Sequence, residues 1–497
     1  MKRIQYSKTL QFFQKYIDVL FRSDSDMPEF QRTKNAFLLG VYLFGIMLWG
    51  QLFAWGNFPF EFHDWAKVTA PRLAFIQDAL RTFTFPLHMP GSWALQDMTD
   101  RFFQIPDSIF SPDMLLLGFL DIGTFSLVHV LLLYTIGFWG LNQLRKNANL
   151  SLILFTILFF LFFFNGHLIA HLSVGHLSWG GSLLFPCFLA ILYPIYQKGE
   201  IITWKWVGWM SLTISLVIMQ GSIHQMFWLF MVLGFLGITN LRSFPSILLT
   251  GVLALCTTLI RILPAFWNLG GFDKDFLGGF PRWHDLFEAL IFERLPQTFI
   301  PLDGSGLRWW EFDHFIGYGG LLFLALGIVL WIKNMIKNRA LSPWLLPILA
   351  ILYLSIDDNY QPLFNFSLPI FSSERVTSRF ALLPLLMLAM LSASYIQLWL
   401  DQIKQKLWVK IGLALGTLYL AYDLSLHTIR WNVINSSKVF PIVPLDLSSF
   451  YVANHTDPLY TNLIIIGTIL SIVYICLALL LTTRNGYAQF GIQKDDC

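Results

Sequence analysis

Two acids and an imidazole stand together at Glu61-Phe62-His63-Asp64-Trp65, directly after the first long apolar run of the sequence. At the edge of a low-dielectric region such an acid is a stronger base and a better cation ligand than in water. It could take a proton from a hydroxyl or hold a cation against a phosphate. The plainer alternative is a solvated loop start with a His-Asp turn. A second group runs from Asn165 to His176. His167 and His171 are spaced i, i+4, so a helix presents both imidazoles on one face, and His176 follows a glycine and could fold back towards them. His167, His171 and His176 are therefore candidate ligands of a divalent metal, with Asp64 or His63 as a further ligand. The run contains no Cys, Asp or Glu, and contact of His167 and His171 with a phosphate is the preferred reading; hydrogen bonds to loop carbonyls are the ordinary one.

Arginines form a third group. Arg375 and Arg379 are four apart at the start of an apolar run, and Arg261 lies just inside the end of another. A planar guanidinium suits a phosphate because it binds two oxygens at once. Snorkelling to lipid headgroups is the alternative for all three. A fourth group mixes acids with aromatic residues, from Asp273, Asp275, Arg282, His284, Asp285, Glu288, Glu293 and Arg294 to Asp303, Arg308, Trp309, Trp310, Glu311, Asp313 and His314. Rings stack on the apolar face of a sugar and acids accept from its hydroxyls, although a solvated loop packed on a membrane has the same composition.

These groups must be held by elements that live in lipid. Of 497 residues, 56% are hydrophobic and only 13% charged, with 48 Phe and 19 Trp. A soluble domain carries about 25% charge, so a cytosolic enzyme, a disordered chain and a nucleic-acid binder are excluded. A net charge of +3 suggests no polyanionic partner. Four cysteines without a CxxC pair supply neither a disulfide framework nor a thiolate metal site. The expected fold is an all-α polytopic bundle of about twelve spans. The apolar stretches are 36–55, 114–141, 150–164, 182–197, 201–219, 225–239, 246–268, 318–336, 342–356, 380–399, 409–426 and 461–482. A polar segment 1–35 precedes them, with an amphipathic helix expected over Phe12, Phe13, Tyr16, Leu20 and Phe21, and a short tail 483–497 follows.

With the N-terminus inside, 20 of the 33 Lys and Arg fall on the internal side and 22 of the 30 acids on the external side. That is the sense of the positive-inside rule, so a cell membrane protein with both termini cytoplasmic is expected. The long connections 56–113, 269–317 and 427–460 are then all external, with every His except His129 at that face. In the first of them Trp65, Val68, Leu73, Ile76, Leu80 and Phe83 recur at helical spacing, with Lys67, Arg72, Asp78 and Arg81 opposite. This predicts an amphipathic helix along the outer membrane surface.

The pattern resembles the GT-C class of integral-membrane glycosyltransferases and, within it, the bacterial YfhO-like membrane proteins. The resemblance is carried by Glu61 to Trp65, by Ala70 to Arg81, by Phe85-Pro86-Leu87-His88-Met89-Pro90-Gly91 and by Asn165 to Trp179. Trp310 to Gly317 and Ser378-Arg379-Phe380 add to it. It spreads over most of the chain as short stretches and layout. It implies a polyprenyl-phosphate sugar donor, an extracytoplasmic acceptor and membrane lipids as partners. It also implies an acid of the first external loop as base or metal anchor. Carried over, that acid is Asp64, with Glu61 second; two residues separate them here, where adjacent acids are commoner in the class. Arg375, Arg379 and Arg261 then join His167 and His171 as donor-phosphate ligands. The competing classes are a multi-span transporter or lipid flippase and a non-catalytic assembly protein.

Overall fold

The computed structural model describes residues 19–22, 30–90, 95, 99–266, 275–296, 307–366, 371, 374–403 and 407–488. Most of the expected N-terminal amphipathic helix, the tail beyond Ala488, and Asp273 and Asp303 of the acid-rich loop lie outside the described residues. Within them the chain is helical, and its β contacts are isolated bridges such as Phe62 with Ile442 and Gly278 with Val376. A helix satisfies its own backbone donors and acceptors, which lipid cannot do for it.

In chain order the helices are α1 Gln31–Leu52, α2 Ala70–Arg81, α3 Ile122–Asn147, α4 Leu152–Phe163, α5 Gly166–Ser173 and α6 Phe185–Lys198. They continue with α7 Trp204–Met219, α8 Ile223–Thr239, α9 Phe244–Cys256, α10 Leu259–Phe266, α11 Trp283–Ile291 and α12 Gly317–Asn338. The last are α13 Leu345–Leu354, α14 Asp357–Asn365, α15 Leu382–Gln402, α16 Leu407–Arg430, α17 Val433–Ser437 and α18 Pro458–Thr483.

Every apolar stretch picked out in the sequence contains a helix. Among the described residues eight helical segments are long and apolar enough to cross a membrane, or nine if α9 and α10, bent by 81° at their break, make one span. Helices α7, α8 and α13 are apolar but shorter. The first long connection runs to residue 121 rather than 113, because Pro112–Gly118 is a 3-10 turn and α3 begins only at Ile122, where Asp121 caps it. The third begins at 431, since α16 runs on to Arg430.

The centre of the bundle is the span Leu152–Ser173, 94% of whose apolar window is buried, beside Thr377–Gln402 at 89%. The corresponding figures for α16 and α18 are 17% and 22%, so these lie at the periphery. Helix α4 is apolar all round, as a helix enclosed by others must be. The central span breaks at Asn165, whose amide donates to Leu161 O and Phe162 O and accepts from Leu168 N at 3.1 Å. One side chain thereby closes α4 and starts α5. At the end of the bundle where α5 stops, the first long connection is laid over its neighbours. Phe110 N donates to Met219 O (2.9 Å), Arg261 Nη2 to Ile105 O (2.6 Å) and Tyr460 Oη to Leu87 O (3.2 Å).

Two expectations change here. The helix expected around 65–83 exists, as a π turn Trp65–Thr69 leading into α2, but it is no surface helix. Residues 70 to 76 are buried throughout, Arg72 included, while Phe83 stands 98% exposed. Packing beneath the rest of the loop takes up both faces over 70–76, and exposure returns only at Arg81. His129, expected deep in a span, lies in the second turn of α3 and is paired with Asp113. At the rim beside these elements Phe83, Leu115 and Phe119 are all exposed.

Candidate active site

Asp64 stands immediately before the π turn, and helical spacing continues from it through Val68 to Arg72. All three line one cavity of about 200 Å³, with His176 and Trp179 from the turns after α5, His224 from α8, Asp107 and Arg379. The neighbouring backbone makes this possible at Gly175. Its φ is +105°, and a Cβ there would come 2.3 Å from Trp65 N. Thr69 Oγ1 donates to Gly175 O at 2.5 Å and Trp65 Nε1 to Ser173 O at 3.1 Å, so the two segments are fastened side by side. His63, also at positive φ (41°), sends Nδ1 to within 3.3 Å of Val174 O. A non-glycine residue in that region is uncommon and is held there by its surroundings.

From Asp64 a line of polar groups runs inward. Asp64 Oδ2 is 2.5 Å from His176 Nε2, and His176 Nδ1 is 2.7 Å from His171 Nδ1. His171 Nε2 lies 3.8 Å from Glu311 Oε2, and Glu311 takes a two-pronged pair from Arg379 at 2.6 and 2.7 Å. Trp179 is the platform beneath them, stacked on His171 at 4.2 Å with the Arg379 guanidinium 4.9 Å from its ring centroid. Burial alone would raise the pKa of Asp64, but its hydrogen bond to His176 and the charges around it hold the carboxyl well below the usual range. Burial likewise opposes ionisation of Glu311, and the charge of Arg379 reverses that and keeps it low. His63 is lowered by burial despite the pull of Asp64. The site thus presents an anionic Asp64 about a quarter exposed (27%) to the cavity.

Two basic–acidic side-chain pairs flank it. Arg72 meets Asp107 at 3.0 Å, and His224 meets Glu374 at 2.8 Å. Neither Arg72 nor His224 was singled out by its type, yet Asp64, Val68 and Arg72 at i, i+4, i+8 carried the signal for the first. Trp179 stood at the end of the histidine run.

The other expected residues are placed apart. Glu61 is exposed, and its backbone carbonyl bonds Val443 N. Arg375 and Arg379 share no helical face, because the backbone before the 3-10 turn Thr377–Ala381 is extended; Arg375 Nε reaches Asp275 O (2.9 Å) while Arg379 faces the cavity. Arg261 is buried away from the cavity, bonded to Ile105 O, Ser108 O and Ser108 Oγ, and so fastens the loop that carries Asp107. His167 and His171 do share a face, with rings 4.4 Å apart, but they stand behind Trp179 and His176 rather than on the cavity wall. His167 is fully buried among His171, Trp179 and His314, and neither of its ring nitrogens has a partner.

The three histidines do not gather as a ligand set. Beside the cavity, the groups among the described residues whose ligand atoms lie within 4.8 Å of one another are His63, Asp64 and His176, and His171, His176 and Glu311. Either could hold a divalent ion, with His176 common to both and His167 in neither.

The acid-rich loop is more tightly paired than its composition suggested. Asp285 meets Arg282, Glu288 meets Arg294, and Glu293 meets Arg430. Asp313 is completely buried with Oδ2 3.5 Å from His427 Nε2, and burial pushes its carboxyl up to about 6. Burial takes the neighbouring His314 down to about 4. No family model, curated protein or solved structure matches this chain.

Proposed function

We propose that the chain is a membrane glycosyltransferase of the GT-C class that moves a sugar from a polyprenyl-phosphate donor to an acceptor on the outer side of a cell membrane. The observation that carries this reading is the meeting, in one cavity at the loop end of the bundle, of an ionised Asp64 with Arg72, Arg379 and His224. An acceptor for a proton and guanidiniums for a phosphate are the two groups such a transfer needs.

In the reaction the acceptor oxygen attacks the anomeric carbon as that carbon's bond to the phosphate oxygen breaks. The electron pair of that bond leaves with the polyprenyl phosphate, and the hydroxyl proton passes to Asp64. Because His176 stabilises the Asp64 anion, the carboxylate first only accepts a hydrogen bond. It takes the proton late, when bonding to carbon has made the hydroxyl acidic. Arg72 and Arg379 face the charge that grows on the departing phosphate. Arg379 has Nε and Nη2 committed to Glu311, which fixes its direction, and Nη1 is the guanidinium nitrogen outside that pair. A single in-line displacement inverts the sugar. A divalent ion, if bound by His63, Asp64 and His176 or by His171, His176 and Glu311, would supply further positive charge to the phosphate.

A transporter reading calls for paired broken helices in two related halves. Among the described residues one helix pair is sharply bent, α9 with α10 at 81°, and the break at Asn165 leaves Leu152–Ser173 a single span.

The test is transfer from a lipid-linked sugar donor by the purified protein. Asp64→Asn keeps the volume and removes the charge, and it should cost about 10²–10⁴-fold in rate, the usual worth of a general base. Glu61→Gln, on an exposed side chain outside the cavity, should stay near wild type. If Glu61→Gln abolishes transfer and Asp64→Asn does not, the roles are reversed; if both are fully active, the catalytic reading of this loop is wrong.

A further inference from the structure

A second cluster sits on the same face of the molecule, outside the cavity. His88 and Asp100 belong to the first long connection, and His455 to the segment that leads into α18. One ligand atom from each lies within 4.8 Å of the other two. The imidazoles of His88 and His455 are 3.9 Å apart between centroids, and His455 Nε2 is 2.7 Å from Asp100 Oδ2.

His88 is the telling residue. It is 1% exposed, its Nε2 lies 3.3 Å from Asp457 Oδ2, and its Nδ1 is buried with no partner. A buried nitrogen without a partner costs free energy unless something occupies it. Asp457 Oδ2 is an acceptor placed at Nε2 of His88. The tautomer that donates Nε2–H to it leaves a lone pair on Nδ1. A carboxylate fixing the far nitrogen of an imidazole is the outer-shell arrangement of metal-ligating histidines. Asp457 is itself rigid. It accepts from Arg101 Nε and Nη2 at 2.6 and 3.1 Å and caps α18 through Tyr460 N at 3.4 Å.

We propose that His88, Asp100 and His455 form a binding site for a zinc-class divalent cation, separate from the candidate active site and independent of the reading given for it. Two imidazoles and one carboxylate suit zinc in preference to magnesium or calcium, which favour oxygen ligands. Tetrahedral zinc with ligands at 2.0–2.2 Å keeps neighbouring donor atoms roughly 3.3 Å apart. Small movements of the exposed His455 and half-exposed Asp100 satisfy that spacing. A solvent molecule completes the shell. The ion would clip the segment before α18 to the first long connection. Those segments already touch through Asn454, which accepts from His88 N at 3.0 Å and donates to Phe85 O at 2.9 Å.

The experiment uses the full chain in detergent, stripped with chelator and titrated with zinc chloride, reading bound zinc by elemental analysis and the thermal midpoint in parallel. His455→Ala, at an exposed position, should fold, bind one fewer zinc ion than wild type and lose the zinc-induced rise in midpoint. His176→Ala should keep the zinc ion that His455→Ala loses, and the rise in midpoint that goes with it. Asp457→Asn should still bind, with affinity lower by about 10–100-fold. If His455→Ala and Asp100→Asn match wild type in zinc content and midpoint shift, the proposal is wrong. It is equally wrong if the zinc response disappears only with His176→Ala.

Discussion

A carboxyl and an imidazole behave according to what encloses them, and Asp313 shows this apart from the candidate active site. Its pKa stands at about 6 against 3.8 when solvated, raised by burial and by Glu293, and only partly offset by His427. Folding therefore takes up a proton between those two values. By linkage, stability from this group is highest below pH 3.8, falls as pH rises towards about 6, and stays at the lower level above it. Asp313→Asn keeps the acceptor for Phe315 N, which Oδ1 now provides at 3.0 Å, and removes the titration. The difference in thermal midpoint between wild type and Asp313→Asn should thus depend on pH across that interval, with the variant gaining on wild type as pH rises. A difference that does not vary with pH overturns this account. Asp64 is the opposite case, because His176 lies on it and keeps it ionised, so burial of both acids yields contrary outcomes. The residue types of Asp64, His171, His176 and Arg379 could be read from the sequence. That Arg375 and Arg261 would spend their donors on loop carbonyls could not, because those carbonyls belong to segments distant in the chain.

Between residues and molecule lie the elements, and here Gly175 has the most influence. It joins α5 to the turn carrying His176 in a left-handed conformation, pressed against the backbone of Asp64 and Trp65. Gly175→Ala strains φ and drives a methyl into Trp65 N, whereas Gly199→Ala, at φ +74° with open space around it, carries the strain alone. The first should destabilise by more than the roughly 1–3 kcal/mol of backbone strain and abolish transfer by parting His176 from Asp64. The second should cost about that strain and leave the transfer rate intact. Thermal midpoints and initial rates of the two variants decide it, and equal effects on both would sink the argument. Long elements were legible because apolar runs of this length have one solution in lipid, and α1, α12 and α18 fall within a few residues of their expected places, while α3 starts eight residues late at Ile122. Where apolar length no longer decided, the reading weakened. The α9–α10 bend and the burial of α2 depend on what packs above them, and periodicity cannot distinguish an apolar face turned to lipid from one turned to protein.

At the scale of the whole molecule, the unequal distribution of charge is the ground for the proposed orientation, with the loop end facing outward. An impermeant thiol reagent on intact cells, in a background lacking the native cysteines, should label Ser449→Cys directly and Asn338→Cys only after the membrane is opened. Both positions are exposed and lie at opposite ends of the helices they adjoin. The reverse pattern would invert the topology and move the cavity to the cytoplasmic side. The exposed rim of Phe83, Leu115 and Phe119 lies beside Met114, a cavity-lining residue of the same short turn as Leu115. Apolar side chains at that level are at home among acyl chains. For a donor anchored by its own hydrocarbon tail, encounter then takes place within a sheet two molecules thick. On the proposed function its frequency follows how crowded the donor is among surrounding lipids, and diluting the bilayer with inert lipid should slow transfer even when the amount of donor in the vessel is unchanged.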